Sequence, residues 1–316
     1  METRVAVILP AYNEAKHIQP VLESLTAHPG VRDMRVVVID DGSTDDTAST
    51  VRSFANIILL QHGRNRGLGH TFRTAVDYCL QERVTCMIFF DADGQFSVED
   101  IPRVAAPVLA GTADFALGSR FLHGIPKDMP VAKVWGNRML ARFMSRVTRT
   151  TIRDVACGFR AYGREALLRT TLNGSFTYTQ EVILDLLFKG LRCVEVPVTV
   201  KYFEDRESTI SSNLWWYGFR VFGILMRTIR DYRPLAFFGY VGGMLFVVGL
   251  VLDGWLLQYY FFTGSFSPYK IIGFAGAFCN FLGLTIIFIG LVAEMLNRIR
   301  SEQEESLYLI KKMRYQ

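Results

Sequence analysis

The sequence predicts an α/β domain on a mostly parallel, Rossmann-like sheet, followed by an amphipathic helix and a hairpin of two apolar helices. Three observations carry this expectation. Through residues 1–210, short apolar runs alternate with charged stretches, as in a globular α/β domain, which is expected to span 1–212. Several of those runs stop at acidic or polar residues, which places them at the carboxyl edge of an open sheet, where such folds bind ligands. Residues 234–297, in contrast, are nearly all apolar.

The elements follow in order. Residues 5–9 (VAVIL) form a buried strand ending at Pro10, and Ile18, Val21, Leu22 and Leu25 then fall at helical spacing. Residues 36–39 are a second strand, ending at Asp40-Asp41-Gly42-Ser43-Thr44-Asp45, where Ser43, Thr44 or Asp45 caps the next helix. Residues 57–60 are a third strand, followed by the loop 64–69 and a helix to about Leu80. Residues 87–90, 115–117 and 194–200 supply further strands. This rhythm predicts parallel pairing with right-handed crossovers. Gly67 and Gly69 are not a dinucleotide fingerprint, because Phe72 stands at the third glycine position.

The fourth strand ends in Asp91-Ala92-Asp93-Gly94-Gln95. Asp91 and Asp93 share a face of extended chain, and Gln95 extends the row. Hard oxygen donors so arranged suit Mg²⁺ or Mn²⁺ held between protein and a diphosphate. Tyr12 and Glu14, Asp40 and Asp41, and Asp91 and Asp93 converge on one crevice. With no Walker lysine, that set fits a nucleotide held by base, ribose and a metal-bridged diphosphate.

The chain has 316 residues, half of them hydrophobic, and a formal charge of +5. Much of the excess charge is local, in arginines of 138–169 and 220–233, so no nucleic-acid partner is expected. Beside apolar helices, such charge points to a membrane surface. Five cysteines without a C-x-x-C pair read as reduced, mostly buried thiols. The first apolar run is too short for a signal peptide and is broken by Pro10 and Asn13-Glu14, so the catalytic part is expected in the cytosol.

Four blocks occur in order: Pro10-Ala11-Tyr12-Asn13-Glu14, Asp40-Asp41-Gly42-Ser43, Asp91-Ala92-Asp93-Gly94-Gln95 and Gly118-Ser119-Arg120. Together they resemble an inverting family 2 glycosyltransferase of GT-A fold, in the branch of dolichyl-phosphate mannose synthases and related polyprenyl-phosphate sugar transferases. The resemblance implies that Pro10, Tyr12 and Glu14 contact the base and ribose, with Ile39, Asp41 and Ala92 in the same nucleotide set. It implies that Asp93 and Gln95 ligate Mg²⁺ or Mn²⁺ and that Asp91 lies close to the ribose or donor sugar. Asp40 is equally well a cap or loop residue. On the acceptor side, a loop through Pro126 and Pro130 forms a lid, and Arg120 and Lys133 grip an acceptor phosphate. The family often has arginine where Lys133 stands, so charge is kept and bidentate geometry lost. The block 154–162 shapes the donor-sugar pocket. Glu181 orients the sugar rather than acting as base, since a phosphate acceptor with a second pKa of about 6 is already largely ionised. Arg206 and Ser208 belong to a segment that closes over the diphosphate, although its usual glycine and lysine are missing. Asp91, Asp93, Arg120 and Arg206 make up the catalytic set.

Residues 213–233 read as an interfacial amphipathic helix, with Phe219, Phe222, Met226 and Ile229 opposite Arg220, Arg227 and Arg230. Spans at about 234–257 and 271–293 meet the ~20 residues needed to cross ~30 Å of hydrocarbon. Arg227, Arg230 and Arg233 precede them, and Arg298, Arg300, Lys311 and Lys312 follow in a basic tail, 298–316. The positive-inside rule then places the catalytic domain and both termini in the cytosol, with Asp253 near the far interface. The expected partners are a nucleotide sugar (GDP-mannose, a UDP-hexose or a UDP-N-acetylhexosamine), a polyprenyl phosphate and the membrane, with a homo-oligomer left open. Two other readings stand beside this one. A family 2 transferase acting on a saccharide hydroxyl is disfavoured by two spans being too few for a secretion channel. A non-catalytic partner subunit is disfavoured by intact acids at every metal and nucleotide position.

Overall fold

The structure is a computed structural model that describes residues 4–126, 129–171, 178–201, 223, 226 and 230–315. The chain divides into two compact units, Met1–Tyr217 with Leu307–Gln316, and Gly218–Ser306.

The first unit is built on seven strands: β1 (Val5–Ala11), β2 (Arg35–Asp40), β3 (Ile57–Gln61), β4 (Cys86–Phe89), β5 (Phe115–Ser119), β6 (Arg160–Gly163) and β7 (Cys193–Pro197). They lie in the order β3-β2-β1-β4-β6-β5-β7. β1 pairs in parallel with β2 and β4, β2 with β3, and β5 with β7. β6 runs antiparallel to both β4 and β5, so the sheet is mixed on that side and mostly parallel overall, as expected. β7 ends at Pro197, short of the expected residue 200, and Val200 makes only an isolated bridge to Phe96.

Around the sheet stand α1 (Ala15–Ala27), α2 (Thr47–Arg52), α3 (Leu68–Gln81), α4 (Ile101–Leu109), α5 (Val131–Thr148), α6 (Arg164–Arg169) and α7 (Tyr178–Phe188). α1 buries Ile18, Val21, Leu22 and Leu25, the apolar stripe its spacing called for. Strands β1, β2 and β4 are buried on both faces, as strands covered by helices are. Edge-to-face rings fix the core: Phe72 meets Phe89 at 5.2 Å and Tyr162 at 5.3 Å, and Phe90 meets Phe159 at 5.0 Å.

This topology creates the site. From β1 the chain steps to β2 on one side, and after β3 it crosses to β4 on the other. The carboxyl ends of β1, β2 and β4 therefore meet at a topological switch point, where α/β sheets bind ligands. Their exits are tied together: the Asp41 N–H donates to the Ala11 carbonyl at 2.8 Å, and the Phe90 N–H to the Ile8 carbonyl at 2.9 Å.

All five cysteines are free, and burial pushes the thiols of Cys86, Cys157 and Cys193 up to about 12. Such thiols are unreactive at neutral pH, in keeping with the structural role expected of them.

The second unit carries α8 (Pro234–Thr263) and most of α9 (Lys270–Tyr315), both long and apolar enough to cross a membrane. Their packing rests on glycines seven residues apart, Gly242 and Gly249 on α8 and Gly276, Gly283 and Gly290 on α9. A Cβ added to Gly283 would meet the Gly242 carbonyl oxygen at 2.7 Å and the Phe246 nitrogen at 2.8 Å, so the backbones touch. The Asn280 amide donates to Asp253 at 2.7 Å. Residues 298–315, set apart by charge as a tail, continue α9 without a break. Residues from Leu307 onward belong to the first unit. There the Tyr308 hydroxyl donates to Glu165 at 3.2 Å, and the Lys311 ammonium to the Thr170 carbonyl at 2.9 Å. The interfacial helix expected at 213–233 lies almost wholly outside the described residues.

Gly283→Val should force α8 and α9 apart and cost about 1–3 kcal/mol, read as a lower unfolding midpoint in detergent. Gly254→Val, where a Cβ meets nothing within 4 Å, should leave that midpoint unchanged.

Candidate active site

At the switch point lies a cleft of about 320 Å³, lined by Pro10, Ala11, Tyr12 and Glu14 from the end of β1, Asp41 from β2, and Asp91, Ala92 and Asp93 from β4. Asn65, Gly67, Leu68 and Thr71, at and before the start of α3, close its other side.

The β1 loop is stitched to the β2 loop. Asn13 sits at φ +54°, turning the chain so that successive N–H groups face residues 43–47. The Asn13 N–H donates to Ser43 Oγ, the Glu14 N–H to Thr47 Oγ1 (both 2.9 Å) and the Ala15 N–H to Asp45 at 3.1 Å. The hydroxyls of Ser43 and Thr47 thus serve the β1 loop, while Asp45 serves both sides, its second oxygen accepting the N–H of Thr47 at the start of α2 at 3.0 Å; Asp46, the N-cap by backbone, makes no side-chain cap bond. Tyr12 is left 44% exposed over the cleft.

Asp40 and Asp41 are both buried and do different work. Asp40 accepts the Ser43 N–H at 3.0 Å and the Gln61 amide at 2.9 Å, so it holds the turn and faces away from the cleft. Asp41 accepts the Gly67 N–H at 2.7 Å, the Arg66 N–H at 3.1 Å and His62 Nδ1–H at 2.6 Å. It thereby fixes the 64–67 loop against one side of the cleft. That loop passes so close to Gly42 (φ +74°) that a Cβ there would lie 2.5 Å from the Arg64 carbonyl carbon.

Asp91 and Asp93 emerge from β4 into the cleft. Gly158 forms the seat of Asp91: a Cβ at Gly158 would lie 2.6 and 2.9 Å from the two carboxylate oxygens. Asp93 accepts the Gln95 N–H at 3.0 Å, a turn made possible by Gly94 at φ +72°. Among the described residues no three His, Cys, Asp or Glu side chains gather as a metal cage. One or two carboxylates of one strand end fit a hard divalent cation that takes its other ligands from a diphosphate and water. Ile39 is fully buried within β2, and neither it nor Gln95 is among the residues lining the cleft.

The residues expected on the acceptor side lie on a second shelf. Arg120 Nε and Nη2 donate to the two oxygens of Asp154 at 2.7 and 2.8 Å, and the Arg120 N–H adds a third bond at 3.0 Å. Asp154 is fully buried and the Arg120 side chain is 12% exposed, so much of the guanidinium fork is spent on its carboxylate. The loop carrying Asp154 is held from both sides. Glu195 accepts the N–H groups of Arg153 and Asp154, while Asn137 donates to the Arg153 carbonyl and accepts the Val155 N–H. Burial, and next the charge of Arg120, pull the Lys133 ammonium below the ordinary lysine range. Neither Arg120 nor Lys133 lines the 320 Å³ cleft. Glu181 is half-buried in the first turn of α7. Arg206 and Ser208 lie outside the described residues.

Sequence reasoning passed over His62, Asn65, Thr71 and Glu195. A histidine at the end of a strand was the one local signal for the first; the others act across gaps that spacing does not reveal.

With this geometry in view, known proteins decide the family. The sequence model of "Glycosyl transferase family 2" matches residues 6–170, more than half of the chain. The chain belongs to that family. It is a hexosyltransferase. Glycosyltransferase AglJ of Haloferax volcanii is 27% identical over 300 residues, 95% of each chain. Polyprenol monophosphomannose synthase of Mycolicibacterium smegmatis is 28% identical, over 66% of this chain and 80% of its own. The fold is shared with glucosyl-3-phosphoglycerate synthase of Mycobacterium tuberculosis, solved with Mn²⁺, UDP-glucose and phosphoglyceric acid. The TM-score is 0.55 at 18% identity, covering 72% of this chain and 79% of that one.

Gly158→Ala should push the Asp91 carboxylate out of its seat and lower kcat about tenfold or more, with the folded structure kept by circular dichroism. An unchanged kcat would detach Asp91 from the reaction.

Proposed function

We propose that the chain transfers one sugar from a nucleotide sugar to a polyprenyl phosphate, with inversion at the anomeric carbon. The observation that carries this reading is the pairing of a carboxylate-lined nucleotide cleft with a cationic acceptor shelf. One short loop joins them, with Asp154 at its acceptor end and Gly158 at its donor end. A sugar-hydroxyl acceptor calls for a carboxylate base; Arg120 and Lys133 suit an acceptor that is already an anion. The two apolar helices and the likeness to a polyprenol monophosphomannose synthase support a lipid as its carrier.

In this reading Tyr12, Glu14, Pro10, Ala92 and Asp41 hold base and ribose, and Asp91 orients the ribose or donor sugar. Asp93, with Gln95, would hold Mg²⁺ or Mn²⁺, and the ion would supply positive charge against that developing on the departing nucleoside diphosphate. Lys133 and Arg120 present the acceptor phosphate. Its oxygen forms the new bond to the anomeric carbon as the bond from that carbon to the diphosphate oxygen breaks, and the electron pair leaves with the diphosphate. No protein base is required, because the attacking oxygen carries its charge already; Glu181 orients the sugar. Arg206 and Ser208 close over the diphosphate by their place in the sequence. The catalytic unit and both termini face the cytosol by the positive-inside rule.

The testing experiment follows label from a nucleotide sugar into the organic phase with Mg²⁺ or Mn²⁺ and a polyprenyl phosphate. One donor of a GDP-mannose, UDP-glucose and UDP-N-acetylglucosamine panel should label the lipid, and EDTA or Asp93→Ala should abolish it. Turnover retained in Asp93→Ala contradicts the reading.

A pH profile tests Lys133 separately. The charged form binds phosphate, and its pKa is lowered in the fold, so the acceptor KM should rise with pH before an ordinary lysine would deprotonate. Lys133→Arg, always protonated, should remove that alkaline rise. A rise that persists in the arginine variant excludes Lys133 as its source.

A further inference from the structure

A second and larger cavity, about 880 Å³, shares no lining residue with the donor cleft. Its walls come from residues 121–125, α5 and residues 151–153. Four arginines line it (Arg138, Arg142, Arg146 and Arg153), and among the described residues no acidic side chain does. The first three stand at i, i+4 and i+8, on one face of α5. All four are exposed, and among the described residues no carboxylate is ion-paired with any of them. Like charges at i, i+4 destabilise a helix, so packing and helix stability give no reason for this stripe. Phe121 and Ile125 supply an apolar wall beside the guanidinium groups.

We propose that this cavity seats the phosphodiester headgroup of an anionic membrane phospholipid. Charge complementarity selects the occupant: several guanidinium groups converge on one space, as phosphate recognition requires. The apolar wall and the volume exceed what a bare phosphate would use and suit the glycerol and first acyl carbons. The same chain carries two helices of membrane-crossing length, so the domain works at high local lipid concentration. The bound lipid is neither donor nor acceptor, and the proposal stands independently of which sugar or acceptor the transfer centre uses. Its consequence is a preference of the catalytic unit for anionic bilayer, set by α5 and apart from the apolar spans.

The experiment uses full-length protein in neutral detergent and native mass spectrometry with phosphatidylglycerol or phosphatidylcholine. Wild type should retain phosphatidylglycerol in preference to phosphatidylcholine. R142Q/R146Q/R153Q should bind it about a hundredfold more weakly, at about fivefold per arginine. Sugar transfer at saturating acceptor in detergent should be unchanged in that variant. The lysine triple variant, which keeps the charge, should retain most of the binding. Ile125→Glu, on an exposed loop outside α5, sets a carboxylate beside the arginines and should expel the lipid even if the glutamine variant does not fold. Phosphatidylglycerol retained by Ile125→Glu overturns the proposal. So does displacement by polyprenyl phosphate at its KM, which would make the cavity an acceptor site, or equal displacement by inorganic phosphate, which would make it a general anion site.

Discussion

The buried ion pair of Asp154 with Arg120 is the constraint on which the two halves of the site depend. A carboxylate with no exposure is tolerable only while its partners stay in place, and removing one partner of such a pair costs about 3–5 kcal/mol. Glu195 and Asn137 lock the backbone that carries Asp154, the first from β7 and the second from α5. Four residues on, the same loop places Gly158 against Asp91. The Asp91 carboxylate and the Arg120 cation, donor-side and acceptor-side in the proposed reaction, are thus registered to each other through five residues of tightly bonded backbone. Group transfer needs such registration, because an error of about 1 Å in a reacting pair can cost 10²-fold in rate.

The sheet supplies the rest of the geometry. The central strands β2, β1 and β4 present their carboxyl ends side by side, and each exit carries acids. Alternation along β2 divides the labour between neighbours: Asp40 turns toward Gln61 and the 43–45 turn, while Asp41 faces the cleft and pins the approach to α3. Two adjacent carboxylates, one holding the turn and one lining the cleft, explain how a tight loop and an open cleft coexist at one strand end.

Much of this was legible in the chain. Apolar runs of four or five residues gave β1 to β4, the spacing of Ile18, Val21, Leu22 and Leu25 gave the buried face of α1, and acids after strands marked the ligand edge. β6 was not legible. It is four residues long and opens with Arg160, whose burial is made possible by carbonyls of Cys157, Val155 and Thr179, partners that composition does not disclose. His62 with Asp41, Arg120 with Asp154 and Asp154 with Glu195 are separated by 21, 34 and 41 residues, so only the fold unites them. The length of α9 was not legible for a different reason. Charge density marks where a helix can leave hydrocarbon, and helical periodicity continues across that boundary without regard to it.

The measurement that bears most directly on the account is the anomeric configuration of the lipid product by NMR. In-line attack by a phosphate oxygen, with no covalent intermediate on the enzyme, predicts that an α-linked nucleotide sugar yields a β-linked sugar phosphate. A product of retained configuration, or a sugar joined to a hydroxyl rather than to phosphorus-bound oxygen, would contradict it.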